Sequence, residues 1–212
     1  MVIGIVVTAV GGTGIFAVFN DRATQGPNTV QSGTRPSAAD IQISEFTPAG
    51  PALCGPWQED LATALWNESN VQPGDEHTRY LCLKNNGSAS ISVTANVLDL
   101  VNSDDVCTGD EQSVDPGCGN GLGAGQLGDV LQAEFQVRNC ASQSGTVTAT
   151  VTLSSIGPVT VPIYTQAAPL SAGSSACLAI VVRYPSTASV TTVQAAQSDG
   201  VSWRFAFDAV AN

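Results

Sequence analysis

Apolar and polar residues alternate with period two over much of this chain, the pattern of strands that bury one face and leave the other wet. In Ile91-Ser92-Val93-Thr94-Ala95-Asn96-Val97 the apolar side chains fall on one side, and Leu131, Ala133, Phe135 and Val137 repeat the pattern. Val147-Thr148-Ala149-Thr150-Val151-Thr152-Leu153 is a third instance. Near the end, Val201, Trp203, Phe205 and Phe207 are set inward against Ser202, Arg204 and Asp208 outward. Two runs, Cys177-Leu178-Ala179-Ile180-Val181-Val182 and Arg79-Tyr80-Leu81-Cys82-Leu83, are apolar on both faces or mixed, which places them centrally in a sheet. With Asp40 to Phe46 and Val159 to Tyr164 added, the pattern predicts about eight antiparallel strands. Turn signals separate them: Pro73-Gly74-Asp75, Asn85-Asn86-Gly87, Gly157-Pro158 and Ala172-Gly173. The predicted fold is all-β, a jelly roll or β-sandwich. Between Trp57 and Trp66, where Leu61 and Leu65 stand four apart, a helical turn or two is expected as a cover.

Composition agrees with this class. Ser, Thr, Val, Ala and Gly dominate, and branched side chains pack well on a pleated surface. The net charge is −11, from 18 acidic and seven basic residues, and such a surface repels nucleic acid and anionic membranes. Solubility alone explains that acidity.

The first residues change the picture. Val2-Ile3-Gly4-Ile5-Val6-Val7 leads through Gly11-Gly12-Thr13-Gly14 into Ile15-Phe16-Ala17-Val18-Phe19-Asn20-Asp21, an uncharged apolar run followed by small residues. This is the pattern of an export signal over residues 1–18, cut in the region of Ala17, Val18 and Phe19. A basic n-region is lacking, as expected if translation starts upstream of Met1. A retained membrane anchor is the rival; it needs about 20 strongly apolar residues, and the early glycines weaken the segment. Residues 19–38 follow as a polar arm rich in Gly, Pro and Thr: either a disordered terminus or an extended strand that pairs with a neighbouring subunit. Residues 39–212 form the single predicted domain, of a length that buries a real core.

An even set of six cysteines after an export signal reads as a disulfide framework: Cys54, Cys82, Cys107, Cys118, Cys140 and Cys177. Cys107 and Cys118 bracket a loop of Asp, Gly and Pro that cannot fold alone, and are expected to pair. The other four allow three pairings, which stay open.

Specific landmarks then appear in order: Gly11-Gly12-Thr13, Phe16-Ala17-Val18-Phe19-Asn20-Asp21 and Ser32-Gly33-Thr34. They continue with Val71-Gln72-Pro73-Gly74-Asp75 leading to Leu83-Lys84-Asn85-Asn86-Gly87-Ser88, and close with Ala195-Ala196-Gln197-Ser198-Asp199-Gly200 before Phe205-Ala206-Phe207-Asp208-Ala209. In these the chain resembles the TasA and camelysin family of biofilm-matrix fibre proteins. The resemblance implies a secreted jelly-roll subunit located in the extracellular matrix or at the cell surface. Its implied partners are a dedicated signal peptidase, further copies of itself in a head-to-tail homopolymer, and other matrix components. The polymer would form by donation of an N-terminal strand to the next subunit, with a self-assembly arm carrying Phe19, Asn20, Asp21, Thr29, Val30, Ser32, Gly33 and Thr34. Pro27 and Pro36 depart from an ideal donor because they cannot give a ladder hydrogen bond, and the extra cysteines and the loop from Ser103 to Gly128 depart from the family pattern.

No catalytic residues, resident metal or cofactor are expected. HExxH is absent, and the one histidine, His77 in Asp75-Glu76-His77, is a poor basis for the metalloprotease activity described for camelysin-like relatives. A nucleophilic hydrolase lacks a supply of bases. Asp104-Asp105, Asp110-Glu111 and Asp115 crowd one loop and offer hard oxygen ligands of the kind that hold calcium, or else form a solvated acidic loop. Asn67-Glu68-Ser69 and Asn86-Gly87-Ser88 fit the glycosylation sequon. Trp57, Trp66 and the loop from 103 to 128 are where a glycan-binding or adhesion platform would be built, the alternative to a fibre subunit; Trp203 could join it in principle but alternates inward, as a core residue does.

Overall fold

The computed structural model describes residues 20–25, 38–47, 53–61, 65–66, 68, 71–104, 106–107, 109–122, 125–140, 144–156, 161–197 and 199–212. Its strands are β1 (Asn20–Gln25), β2 (Ile41–Thr47), β3 (Leu53–Cys54), β4 (Asp60–Leu61), β5 (Glu76–Asn85), β6 (Ile91–Asp104), β7 (Gly121–Leu122), β8 (Gln132–Arg138), β9 (Gly145–Thr152), β10 (Val161–Tyr164), β11 (Ser175–Arg183) and β12 (Asp199–Ala211). Short helices lie in the connections: α1 (Gly109–Gln112), α2 (Leu127–Val130), α3 (Leu153–Ile156) and α4 (Val190–Ala195).

The strands make two sheets. One runs β10-β6-β12-β1-β4, with β7 paired to β6 off that path; the other runs β3-β2-β5-β11-β8-β9. Neighbours are antiparallel except β1 and β4, which run parallel. The architecture is the all-β sandwich that the alternation predicts. Its main core is filled from both sheets by alternate residues: Leu81 and Leu83 of β5, Ile180 and Val182 of β11, Phe135 of β8, Val93 and Ala95 of β6, and Phe205 and Phe207 of β12. Phe135 and Phe205 meet edge to face across the layers, ring centroids 5.4 Å apart.

The two runs expected to lie centrally are β5 and β11, neighbours at the centre of the second sheet. Their inner residues enter the main core, while Cys82 and Cys177 turn outward with Phe46 into a smaller cluster that Cys54, Trp57, Tyr80 and Cys140 partly cover. β11 is buried from Ala176 to Val182, so both of its faces need apolar residues and it lacks alternation; β5 is buried in the same way only around Leu81-Cys82-Leu83.

Turn chemistry also follows the sequence. Asp75 N–H donates to the Gln72 carbonyl at 2.9 Å across Pro73-Gly74, and Gly74 has φ +100°, as the third position of a type II turn requires. At Asn85-Asn86-Gly87, the buried Asn85 side chain donates to the carbonyls of Ala89 (2.8 Å) and Leu170 (3.0 Å) and accepts from Gly87 N–H (3.0 Å). A Cβ on Gly87 would stand 2.6 Å from the Ala38 carbonyl oxygen, so only glycine lets the chain close there.

Several expectations are corrected. Beside the main strands, short pairs such as β3, β4 and β7 extend the sheets. The stretch from Trp57 to Trp66 shows no helix among its described residues. Gln58 bridges to Ile43 and Asp60–Leu61 forms β4, so Leu61 is buried as a strand residue. The loop from Ser103 to Gly128 contains the end of β6, then α1, β7 and the start of α2. In β9 the outer end is not buried: Val147 is 51% exposed, since β9 is an edge strand with less to cover it.

Candidate functional site

Two parts of the fold bear on function: the seat of the N-terminal strand and a buried group of carboxylates. β1 lies along β12, pairing Asn20 with Val210, Asp21 with Ala209, Arg22 with Asp208, Ala23 with Phe207 and Thr24 with Ala206. Among the described residues its far side pairs with β4 alone, through Thr24 with Asp60 and Gln25 with Leu61. Without β1, the outer edge of β12 from Ala206 to Val210 would present a row of unpaired N–H and C=O groups. Asn20 and Asp21 of the predicted arm are thus in this seat; Phe19, Thr29, Val30, Ser32, Gly33 and Thr34 lie outside the described residues. So do the cleavage-region residues Ala17 and Val18.

The cysteines form three bridges, Cys54 with Cys82, Cys107 with Cys118, and Cys140 with Cys177, leaving none free. Two of the three staple the second sheet; the other closes the loop that carries α1.

The carboxylates come from three places. Asp104 ends β6 and Asp199 opens β12, and the antiparallel register sets them directly opposite each other. Glu111 reaches them from α1, inside the disulfide-closed loop. Each residue offers a carboxylate oxygen, and these oxygens lie within 4.8 Å of one another. Asp104 and Glu111 are fully buried. The backbone around the group is drawn tight: a Cβ on Gly125 would fall 2.5 Å from the Ser103 carbonyl oxygen and 3.0 Å from Asp199 Cγ.

One oxygen of each aspartate has a backbone partner. Gly119 N–H donates to Asp104 Oδ2 at 2.6 Å, and Gln126 N–H donates to Asp199 Oδ2 at 2.5 Å. Asp104 Oδ1 and Asp199 Oδ1 are buried without a hydrogen-bond partner. Gln126 also ties the loop down, its Nε2 donating to Asp115 Oδ2 at 2.8 Å. Burial pushes the Asp199 carboxyl up from 3.8 to about 6; the Asp104 and Glu111 charges push the same way, while the N–H groups of Gln126 and Leu127 pull back. Such a set of hard oxygens either shares a proton or holds a divalent cation.

Of the acidic loop residues singled out in the sequence, Asp104 and Glu111 enter this group. Asp110 is exposed, Asp115 instead accepts from Gly117 N–H (2.8 Å) and Gln126, and Asp105 lies outside the described residues. Asp199 was the residue missed. Its signal was its place at the start of a strand pairing back to Asp104, which local spacing does not reveal.

The remaining candidates are scattered. His77 Nδ1 stands 3.5 Å from Glu68 Oε2, and its carbonyl accepts from Trp66 Nε1 at 3.3 Å. No cluster of potential metal ligands among the described residues includes it. Trp66 packs on Trp203 (6.0 Å between centroids) and Phe205 (5.6 Å), while Trp57 lies on the outer cluster of the other sheet under Lys84 Nζ. The three tryptophans therefore do not share one surface. Asn86 is exposed, with Nδ2 donating to Asp40 Oδ2 at 2.9 Å, and Asn67 lies outside the described residues. No protein-family model matches the chain, and no curated protein matches it.

Proposed function

We propose that this chain is a secreted structural subunit that polymerises into extracellular fibres by strand exchange, β1 of one copy taking the seat beside β12 of the next. The observation that carries this reading is the seat itself. A six-residue N-terminal strand completes the edge of the thirteen-residue β12, and among the described residues its other side is paired with the two-residue β4 alone. Exchange would swap one set of ladder hydrogen bonds for an identical set in a neighbour, so little free energy opposes it.

Other features fit. Three disulfides suit an oxidising, extracellular setting, and among the described residues no helix is long and apolar enough to cross a membrane. The ordered landmarks shared with the TasA and camelysin family point to the same role. The test is negative-stain electron microscopy of protein beginning at Phe19 beside protein beginning at Ala39. Filaments from the first alone support strand exchange; monomers from both, across pH, salt and concentration, overturn it.

A further inference from the structure

We propose that Asp104, Glu111 and Asp199 form a calcium site that fastens the disulfide-closed loop to the end of the first sheet. The proposal stands apart from fibre assembly. Three carboxylates have been brought together from β6, α1 and β12, with two of them fully buried. Collecting negative charge in a low-dielectric interior is costly unless a cation offsets it. Yet neither Asp104 nor Asp199 is paired with a Lys or Arg among the described residues.

The second observation is where the spare acceptors are. In each aspartate Oδ2 is occupied by a backbone N–H, which fixes the carboxylate plane, and Oδ1 is buried without a hydrogen-bond partner. A buried carboxylate oxygen with no donor is rare in folded proteins and calls for an ion or a proton. Here the orphaned oxygens belong to residues that also lie within ligand distance of Glu111.

The donor set selects the ion. All three ligands are carboxylates, all six cysteines are bridged, and His77 is not in the group. Hard oxygen donors exclude a preference for zinc or copper and suit calcium, magnesium or manganese. Calcium tolerates irregular sites of six to eight oxygens, with water completing the shell, whereas magnesium demands near-octahedral geometry and gives up its waters reluctantly. A loop pinned by a disulfide between residues eleven apart and a one-turn helix offers irregular geometry, and calcium is abundant outside cells, where an affinity of about 10⁻⁴ to 10⁻³ M is enough for occupancy.

The test uses the full chain, stripped with a chelator and dialysed, then titrated with calcium chloride by calorimetry. One calcium per chain is expected, with a rise in Tm of roughly 5–10 °C at calcium about a hundredfold above Kd. Magnesium at the same concentration should give little of that shift. Asp199→Asn keeps an oxygen for Gln126 N–H, and Glu111→Gln keeps the side-chain volume; each should weaken calcium binding at least tenfold, while Glu76→Gln at an exposed site leaves it unchanged. Terbium luminescence sensitised by Tyr184, which lies close enough to Asp199 to feel its charge, gives a second readout that does not depend on the variants folding. Calcium should displace the terbium. An unmodified chain that takes up no calcium at about 10 mM, or binding that survives both substitutions, overturns the proposal and leaves a group that shares a proton.

Discussion

Cys82 and Cys177 stand directly opposite each other on β5 and β11, their sulfurs 3.8 Å apart, yet each is bonded to a different partner. Two bridges therefore abut side by side on the outer face of one sheet. Residues opposed in an antiparallel pair have Cα atoms about 4.5–5.5 Å apart, a separation a disulfide can span.

That proximity predicts a rearrangement. In Cys54→Ser the Cys82 thiolate can attack Cys177 sulfur, forming a Cys82–Cys177 bond and releasing Cys140 as a thiolate that takes up a proton. Thiol count is conserved. Alkylation of the oxidatively refolded variant under denaturing conditions, followed by peptide mapping, should find the label on Cys140; a label on Cys82 would show that no exchange occurs.

Chelated protein should lose stability as pH rises. Because the Asp199 carboxyl sits at about 6 in the fold against 3.8 ordinarily, the folded state holds that proton more tightly. Its contribution is complete below the unfolded value and is lost as pH climbs through about 6. Asp199→Asn has no such proton. In chelator, the urea midpoint of the unmodified chain should drop relative to the variant between about pH 4 and pH 7. Added calcium should reverse the order at neutral pH, and parallel midpoints in chelator would contradict the sign.

Locking β1 to its own sheet should block assembly. Asn20→Cys with Val210→Cys joins two directly paired residues. If exchange builds the fibre, the cross-linked monomer should stay monomeric by light scattering where the unmodified chain forms filaments, and filaments from the locked protein would count against exchange.

Core truncation should be costly where the sheets meet. Phe135→Ala removes a fully buried ring in edge contact with Phe205 and is expected to cost about 3–5 kcal/mol by denaturant unfolding. Leu122→Ala, at a side chain 80% exposed, should change stability by less than about 0.5 kcal/mol.

What could be read in advance followed from local chemistry. A continuous apolar run marked β11 because both of its faces are covered, a mixed run marked β5 beside it, and Pro73-Gly74 marked its turn because proline and a positive-φ glycine suit those positions. The far half of β6 was hidden. Its register against β12 shifts between Ser202 and Arg204, and Asp99 there has φ +50° and pairs with Arg204, so the two-residue period breaks. Leu61 and Leu65 imitated a helix because short irregular strands also bury leucines at that spacing. The carboxylate group was half visible: loop composition exposed Asp104 and Glu111, while Asp199 depended on strand register, a long-range property that no window of sequence contains.

The placement of the bridges divides the sandwich mechanically. Cys54–Cys82 joins β3 to β5 and Cys140–Cys177 joins the segment just after β8 to β11, both in one layer, whereas Cys107–Cys118 closes only its own loop. No bridge crosses from one layer to the other or joins two strands of the layer holding β1, β6 and β12. One wall of the molecule carries two covalent cross-links, while the strands of the other are held to one another by reversible contacts alone. Strain applied to the subunit will therefore be taken up first on the side without cross-links between strands, where the seat of β1 lies.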